Sequence, residues 1–407
     1  MSKETKKAIL MDCIIFGGGV AGLFTLDQCL AKGLRCVLLE SQSLGTGQTI
    51  GSQGIIHGGL KYALTGGDAS SAMAIREMPL VWRRCLAGES SPDLTNVSLR
   101  SEYCYLWRTD SIKSKLSWLA AKFALRTKPK VLDSDELPEA LQGMSCAIAR
   151  LDEQVIEPSS LLDVFKHALN RHLLQTVEGG VEISHSDDGW LVQLLNPETG
   201  EPLTLIAKKL VLTAGNGNHD LRELLHLEPN RTQGRPLHMV IARGSLPNMN
   251  GHCIDGSKTR VTITTTRDHA GRTVWQIGGQ IAEEGVELSS ADLIRSAIQE
   301  LIEVFPSICF EGTEFRTYMT SRAELNSHGK RPVDISILEE EDVLTCWPTK
   351  LAFAPRLAEE ITSRIEPATY EETLDSNLFA SWPTPPVALP PWESDLPWST
   401  IEMASNQ

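Results

Sequence analysis

Residues 11–40 read MDCIIFGGGVAGLFTLDQCLAKGLRCVLLE, and this stretch decides the fold. An apolar run, 11–16, leads directly into Gly-x-Gly-x-x-Gly at 17–22, and a helix-length segment, 23–32, follows. A second apolar run, 34–40, ends on an acidic residue. This order of strand, glycine-rich turn, helix and strand is typical of a βαβ unit that binds a dinucleotide. An ordinary glycine-rich turn in an α/β sheet is the alternative.

The glycine motif predicts how a pyrophosphate would be held. Gly17 permits the tight turn out of the strand, Gly19 lets the pyrophosphate approach the backbone, and Gly22 allows the helix to pack closely on the strand. The helix begins at Val20 and Ala21, where its N–H groups and the positive end of its dipole would face the phosphates. We expect all five residues to contact the cofactor.

The end of the second apolar run distinguishes between dinucleotides. Glu40 lies 18 residues after Gly22, where a carboxylate accepts hydrogen bonds from ribose hydroxyls and disfavours the 2′-phosphate of NADP. Residues 41–60 are rich in Gly, Ser, Thr and Gln, which predicts an irregular segment that threads along a long cofactor and favours FAD over NAD. The cofactor contacts expected from this segment are Ser41, Gln48, Thr49, Gln53 and Gly54.

The bulk composition is that of a globular protein of about two domains, with 407 residues, 41% hydrophobic and 22% charged. The formal net charge of −14 argues against nucleic acid as a partner, whereas binding of a small anion depends on the local charge of its pocket. No apolar run approaches the length of a membrane span, and the first one is too short for a signal peptide. We therefore expect a cytoplasmic protein without a transmembrane segment, for which peripheral membrane contact stays open.

The nine cysteines are scattered along the chain without a paired-motif spacing. This distribution is typical of reduced thiols and not of a disulfide framework or a zinc site. We expect no metal ion.

Three further segments carry recognisable motifs: residues 55–62 read IIHGGLKY, residues 317–322 read TYMTSR, and residues 348–359 read PTKLAFAPRLAE. They resemble, in that order, the His-Gly-Gly-Leu-Arg-Tyr, Thr-Tyr-Ser-Gly-Val-Arg and Gly-Gly-Lys-Leu-Thr-Thr-Tyr-Arg-x-x-Ala-Glu segments of FAD-dependent glycerol-3-phosphate dehydrogenases. That family belongs to the D-amino-acid-oxidase-like (DAO) superfamily of flavoproteins. The resemblance covers about residues 11–365 in patches and implies FAD as the cofactor.

The resemblance also implies an α/β fold in which a Rossmann-like FAD-binding domain is interleaved with an antiparallel-sheet α+β substrate domain. The FAD-binding domain is assigned residues 8–70, 151–229 and 311–366. The substrate domain is assigned residues 71–150 and 230–310. The remainder, 367–407, is a tail rich in Pro and Trp that we expect to dock on the body through its indoles. A disordered partner-binding motif is the alternative for this tail.

Local sequence patterns predict strands and helices in the middle of the chain. Alternating apolar residues between turn signals predict a β-meander with strands at 181–183, 190–195 and 203–206, and a further apolar strand is predicted at 209–215. The last of these ends in Ala214 and Gly215. In the resembled group this small-residue end lies against FAD, although by itself it is equally typical of a buried strand ending in a turn. Helical patterns cover residues 161–173 and 291–305.

The resembled motifs nominate three catalytic residues. His57 is the candidate for proton abstraction or substrate orientation, because the ordinary pKa of histidine suits a general base. A histidine that merely holds the loop, or one that attaches the flavin covalently, is the alternative. Lys350, with Leu351 beside the cofactor and a helix starting near Ala354, is the candidate for stabilising negative charge on the flavin. Arg322 is the candidate anion clamp, because guanidinium binds phosphate or carboxylate bidentately.

Further substrate contacts are expected from Tyr318, Lys61 and Arg331. Two departures from the resembled family weaken glycerol 3-phosphate as the substrate. Lys61 stands where the family has arginine, and Ala323-Glu324 stand where it has Pro-Leu, so that one guanidinium is lost and a carboxylate is added. A hydroxy acid or amino acid with a single carboxylate therefore becomes competitive.

We thus predict an FAD-dependent oxidoreductase that takes a hydride from a small anionic metabolite and passes electrons to oxygen, a quinone or another protein. An amino-acid oxidase of the same superfamily is the first alternative. An FAD protein that modifies RNA is disfavoured by the acidic charge. An FAD-binding interaction protein that recruits a partner through its tail is the remaining alternative.

Overall fold

Two large sheets organise the chain, and a computed structural model describes residues 8–59, 73–108, 130–144, 146, 148–255, 258–328, 332–370, 375 and 377–400. One sheet has eight strands and the other nine, and a two-stranded ribbon joins β3 (Leu99–Ser101) to β7 (Val155–Ile156). The eight-stranded sheet has a parallel centre and the nine-stranded sheet is mainly antiparallel, which agrees with the predicted α/β fold class.

The strands of the eight-stranded sheet are β1 (Ile9–Phe16), β2 (Cys36–Glu40), β8 (Leu173–Gln175), β9 (Val181–Ser186), β10 (Gly189–Leu195), β11 (Pro202–Leu212), β17 (Ser336–Glu340) and β18 (Val343–Trp347). The strands of the nine-stranded sheet are β4 (Cys104–Arg108), β5 (Lys130–Val131), β6 (Ala149–Leu151), β12 (Thr232–Gly244), β13 (Gly251–Asp255), β14 (Lys258–Arg267), β15 (Thr273–Gly278), β16 (Glu314–Leu325) and β19 (Ser399–Thr400). The described α-helices are α1 (Val20–Ala31), α2 (Met78–Leu86), α3 (Pro158–Leu169), α4 (Asn218–Leu224), α5 (Gln280–Glu284), α6 (Ser290–Val304) and α7 (Ala354–Ser363).

The eight-stranded sheet contains the predicted βαβ unit. β1 pairs in parallel with β2 on one side and with β11 on the other, and α1 is the crossover between β1 and β2. The predicted strands at 203–206 and 209–215 are one continuous strand, β11, which corrects that prediction. Its first half pairs antiparallel with β10 and completes the predicted β-meander, while its second half pairs in parallel with β18. One strand thus serves both the meander and the parallel core.

The nine-stranded sheet is built around the long antiparallel pair of β12 and β16. α6 packs its apolar side against this sheet through buried residues such as Leu293 and Leu301, and the hydroxyl of Ser289 accepts a hydrogen bond from the N–H of Asp292 at its start. β16 belongs to this sheet although it follows the boundary predicted at residue 310. β16 pairs with β12 and so stays in the nine-stranded sheet. The chain returns to the eight-stranded sheet at β17, which pairs with β18.

The described part of the tail packs on the body. β19 pairs with β16, and Val387 forms a parallel bridge with Leu44 beside the glycine-rich loop. The side chain of Trp392 is buried against Ile241 and Val274. This arrangement agrees with the expected docking through indoles, while residues 401–407 lie outside the described part.

Cysteines form no disulfide in the described part of the chain, which contains all nine of them. Three of them nevertheless meet: Cys13 and Cys36 are paired residues of β1 and β2, and Cys29 joins them from α1. Their sulfur atoms lie within 4.8 Å of one another and are buried in the core. Among the described helices, none has both the length and the apolar character that crossing a bilayer requires.

Candidate active site

The glycine-rich loop has the close contacts that its motif predicts. Gly17 has φ +103°, and a Cβ built there would lie 2.5 Å from Cα of Ala214. A Cβ on Gly22 would overlap the carbonyl oxygen of Gly17, so that any larger residue would push α1 away from β1. A Cβ on Gly19 would come near only the hydroxyl of Thr49, at 3.3 Å. Gly17 and Gly22 therefore allow close packing of the turn against β11 and α1. At Gly19 the space beside the backbone is open to a ligand.

Glu40 lies against this loop and is held by two backbone donors. Its Oε2 accepts a hydrogen bond from the N–H of Gly18 at 2.7 Å, and its Oε1 accepts one from the N–H of Gln42 at 2.7 Å. The hydroxyl of Thr49 accepts a hydrogen bond from the N–H of Val20 at 3.1 Å. The carboxylate is thus preoriented at the end of β2, and Thr49 occupies one of the donors at the start of α1.

The end of β11 abuts the same loop. The hydroxyl of Thr213 donates to the carbonyl oxygens of Phe16 at 2.9 Å and Gly17 at 3.1 Å. The N–H of Ala214 donates to Oδ1 of Asn218 at 2.9 Å, and Gly215 has φ +61°. The small residues predicted to lie near the cofactor therefore stand next to the glycine motif.

A cavity of about 310 Å³ lies where the two sheets meet. His57, Arg322 and Lys350 all line it, although they come from three distant parts of the sequence. Gln48, Gln53, Gly54 and Leu351, which were expected to contact the cofactor, line it as well. Lys61 and Arg331 lie outside the described residues. The structure therefore brings the three predicted catalytic residues together.

Tyr318 is not among the described residues that line the cavity. Its hydroxyl donates to the carbonyl oxygen of Gly51 at 2.8 Å and accepts from Nε2 of Gln276 at 3.2 Å. Burial raises the pKa of this phenol above its ordinary value. Tyr318 thus contacts the segment that carries Gly51, where the sequence predicted a contact with the substrate.

Lys350 lines the cavity and is buried, with 6% of its surface exposed. Its Nζ donates to the carbonyl oxygen of Val333 at 3.3 Å and lies 4.9 Å from the ring centroid of Phe353. The residue before it, Thr349, has φ +60°, a conformation that costs a β-branched residue of order 1–3 kcal/mol. The positive charge is thus held at one place by a strained turn ahead of α7.

The residues present fit FAD. Three hydroxyl oxygens that line the cavity, those of Ser52, Thr320 and Thr349, are buried and have no hydrogen-bond partner among the described residues. Buried polar groups are normally paired, so these hydroxyls are available to hydrogen-bond a polar ligand such as FAD. The open side of Gly19 and the oriented carboxylate of Glu40 supply the other end of a dinucleotide site.

Arg322 shares the cavity wall with an acidic residue that the sequence did not nominate. Its Nη1 lies 2.8 Å from Oε1 of Glu283, on α5. The carboxylate of Glu324, which the sequence placed next to the clamp, forms a bidentate ion pair with Arg235 at 2.7 Å and is fully buried. Glu324 is therefore neutralised locally, and Glu283 is the acid that faces the predicted anion site.

Two further residues that sequence reasoning missed lie beside His57. Oε2 of Glu153 is 3.4 Å from Nδ1 of His57, and the ring of His252 lies 5.4 Å from the His57 ring. Both are buried. No motif marks them, because each reaches His57 only through the pairing of distant segments.

The fold and the site define an FAD-dependent oxidoreductase. The chain belongs to the DAO family, described as FAD dependent oxidoreductases, whose family model matches residues 12–339. A probable FAD-dependent oxidoreductase of Pseudomonas aeruginosa is 36% identical over 393 residues, which make up 95% of this chain and 98% of that protein. The crystal structure of an FAD dependent oxidoreductase from the same species has a TM-score of 0.79 and 33% identity, and covers 96% of this chain and 99% of that one.

More distant relatives differ in the activity that their names state. Alpha-glycerophosphate oxidase of Enterococcus casseliflavus is 24% identical over 318 residues, which are 73% of this chain but 52% of that protein. Glycine oxidase of Geobacillus kaustophilus has a TM-score of 0.64 at 14% identity, covers 89% of this chain and 96% of that one, and shares the fold. The predictions of the superfamily, of the Rossmann-like fold class, of FAD and of an oxidoreductase are confirmed.

Proposed function

We propose that this protein is a dehydrogenase or oxidase that takes a hydride from the carbon bearing the hydroxyl of a small anionic metabolite, such as glycerol 3-phosphate or a 2-hydroxy acid. The observation that carries the proposal is that His57, Arg322 and Lys350 line one cavity, together with residues of the predicted cofactor segment such as Gln48 and Gln53. An anion clamp, a base and a buried cation are the three groups that this reaction needs.

Each residue has a distinct role in the proposal. Arg322 binds the phosphate or carboxylate and so positions the reacting carbon. His57 accepts the hydroxyl proton as the alcohol becomes a carbonyl. FAD, when bound, would supply the hydride acceptor, and the buried ammonium of Lys350 would stabilise the negative charge that the flavin gains. The electrons then leave to an acceptor, which is oxygen, a quinone or another protein.

A specific observation supports an amino-acid oxidase as the second candidate. The ion pair of Arg322 with Glu283 places a cation and an anion side by side at the cavity wall. A zwitterionic amino acid would match this pair, with its carboxylate on the arginine and its ammonium near the glutamate. The alcohol remains the first candidate, because a histidine beside a buried carboxylate serves to remove a hydroxyl proton.

Anaerobic reduction of the bound flavin tests the proposal. The FAD-loaded protein is mixed with glycerol 3-phosphate, with a panel of 2-hydroxy acids and with a panel of amino acids, and bleaching of the yellow colour is recorded. Reduction by a hydroxy compound supports the first candidate, and reduction by amino acids alone supports the second. An intact flavin that none of these anions reduces, although dithionite does, would contradict both.

A further inference from the structure

A buried acidic residue stands directly behind His57. Glu153 lies in the short loop between β6 and β7, and this loop pairs with the segment that carries the histidine. The N–H of Ile56 donates to the carbonyl oxygen of Gln154 at 2.8 Å, and the N–H of Ile156 donates to that of Gly54 at 2.9 Å. The carboxylate and the imidazole are thus carried by two segments that are joined by backbone hydrogen bonds.

Both oxygens of the Glu153 carboxylate face this segment. Oε1 accepts a hydrogen bond from the N–H of Gly58 at 2.7 Å, and Oε2 lies 3.4 Å from Nδ1 of His57. The Glu153 side chain is 4% exposed, whereas the His57 side chain is 19% exposed and lines the cavity. The histidine is therefore the member of the pair that a substrate can reach, and the glutamate stands behind it.

His252 supports the histidine ring from a second side. It lies on β13, is fully buried, and its ring is tilted by 31° to that of His57. Its Nδ1 is 2.9 Å from the hydroxyl of Thr262 on β14, which fixes the plane of its ring. A fixed, buried ring therefore packs beside that of His57.

We propose that Glu153 is a positioning residue that holds His57 with Nδ1–H directed at its carboxylate, so that Nε2 is the atom that receives the substrate proton. FAD, when bound, would supply the acceptor of the hydride from the substrate carbon. Nε2 of His57 would receive the hydroxyl proton as the carbon–oxygen double bond forms. The negative charge of Glu153 offsets the positive charge that His57 gains. This inference rests on the proposed function of His57 as the base.

Replacement of the Glu153 carboxylate by an amide removes its negative charge and keeps the size and shape of the side chain. In Glu153→Gln the side chain can still accept from Gly58, but it no longer stabilises protonated His57. We expect kcat for the substrate that reduces the flavin to fall by about tenfold, with KM nearly unchanged. This is less than the roughly 10²–10⁴-fold that a general base contributes, because His57 itself remains. The limb of the kcat/KM profile that reports deprotonation of His57 moves to lower pH, because loss of the anion favours neutral imidazole.

The pH shift can be assigned to Glu153 because the other charges remain. His252 packs against His57, and Lys258, Glu283, Arg322 and Lys350 line the same cavity in both proteins. Glu314→Gln is the matched control, since that carboxylate pairs with Arg243 in the same sheet and is not among the described residues of the cavity wall. We expect the control to leave both kcat and the pH profile unchanged.

A measurement without turnover completes the test. Nitrogen-15 NMR of histidine-labelled, FAD-loaded protein reports the tautomer of each ring, and His57→Asn assigns the His57 signals. Wild type should show the Nδ1–H tautomer of His57, and Glu153→Gln should lose it, whereas an unchanged tautomer would overturn the inference. Zinc bound stoichiometrically and lost together with activity on chelation would also overturn it, because His57, Glu153 and His252 would then be occupied by a metal. If His57→Asn retains full activity, the proposed function itself fails.

Discussion

Nη1 of Arg322 lies 2.8 Å from Oε1 of Glu283 at the wall of the cavity. An anionic substrate that uses this arginine must compete with the carboxylate. We therefore predict that Glu283→Gln lowers KM for an anionic hydroxy compound by about two- to fivefold, since a partly exposed ion pair is worth up to about 1 kcal/mol. For an amino acid the sign reverses, because the ammonium group loses its partner. Steady-state kinetics with both substrate classes distinguish these outcomes.

Loss of the clamp itself should weaken substrate binding strongly. Arg322→Ala removes charge-assisted hydrogen bonds of about 1.5–3 kcal/mol, which predicts a rise in KM of about 10- to 150-fold with FAD still bound. Arg295→Ala, on the exposed side of α6, is the matched control and should leave KM unchanged. Wild-type kinetics in Arg322→Ala would remove this residue from the substrate site.

Gly19→Asp should abolish FAD binding. The added carboxylate would enter the space that the glycine leaves open beside Thr49 and would repel the pyrophosphate. The purified variant should be colourless and should melt like the wild-type protein stripped of FAD. A yellow Gly19→Asp protein with an unchanged affinity for FAD would contradict the assignment of this loop.

Thr349→Gly should raise stability and lower cofactor affinity. Glycine adopts φ +60° without strain, so that relief of the left-handed threonine should stabilise the fold by about 1 kcal/mol. The variant also loses a buried hydroxyl of the cavity. Thermal unfolding and FAD titration measure the two effects separately. A lower melting temperature would show that the threonine side chain stabilises the turn despite its backbone.

Trp392→Ala should destabilise the protein, because this indole is buried against the nine-stranded sheet. Truncation of a buried Trp costs about 3–5 kcal/mol. Nearby, Nη1 of Arg316 donates to the carbonyl oxygen of Ser394 at 2.9 Å, which fixes the tail beside the indole. Leu396→Ala, at a position 56% exposed, is the control. Unchanged melting of Trp392→Ala would instead favour a tail that is free to recruit a partner.

Acid should weaken the contact between Glu157 and Arg100. Burial favours the neutral acid, but the charge and hydrogen bonds of Arg100, with the hydroxyl of Thr266, hold the pKa of Glu157 below its ordinary value. A lowered folded-state pKa means that this stabilisation is present above about pH 4.3, the unfolded value, and disappears as pH falls through the folded value. Glu157→Gln should therefore melt well below wild type at pH 7, and the difference should shrink below about pH 4.

The residues expected to bind the adenine nucleotide of FAD could be predicted from the sequence. The glycine motif, α1 and Glu40 interact within a single βαβ unit, so that their spacing already implies their geometry. The continuous strand β11 was not predicted correctly. On one edge its first half pairs with β10 and its second half with β18, and the charged Lys208-Lys209 between the halves resembles a loop. The assignment of residues 311–366 to the FAD-binding domain did not anticipate that β16 belongs to the nine-stranded sheet. The pairing of β16 with β12 joins residues about 80 positions apart, and no local pattern marks it.

The sequence by itself determined that this protein binds FAD in a Rossmann-like crossover and which side chains are chemically able to clamp an anion or accept a proton. Only the tertiary structure decided what stands beside them: Glu153 behind His57, Glu283 against Arg322, and Arg235 on Glu324. The physical reason is that hydrogen bonds and charges act over a few ångströms, while Glu153 and His57 are 96 residues apart and meet only when their two segments pair.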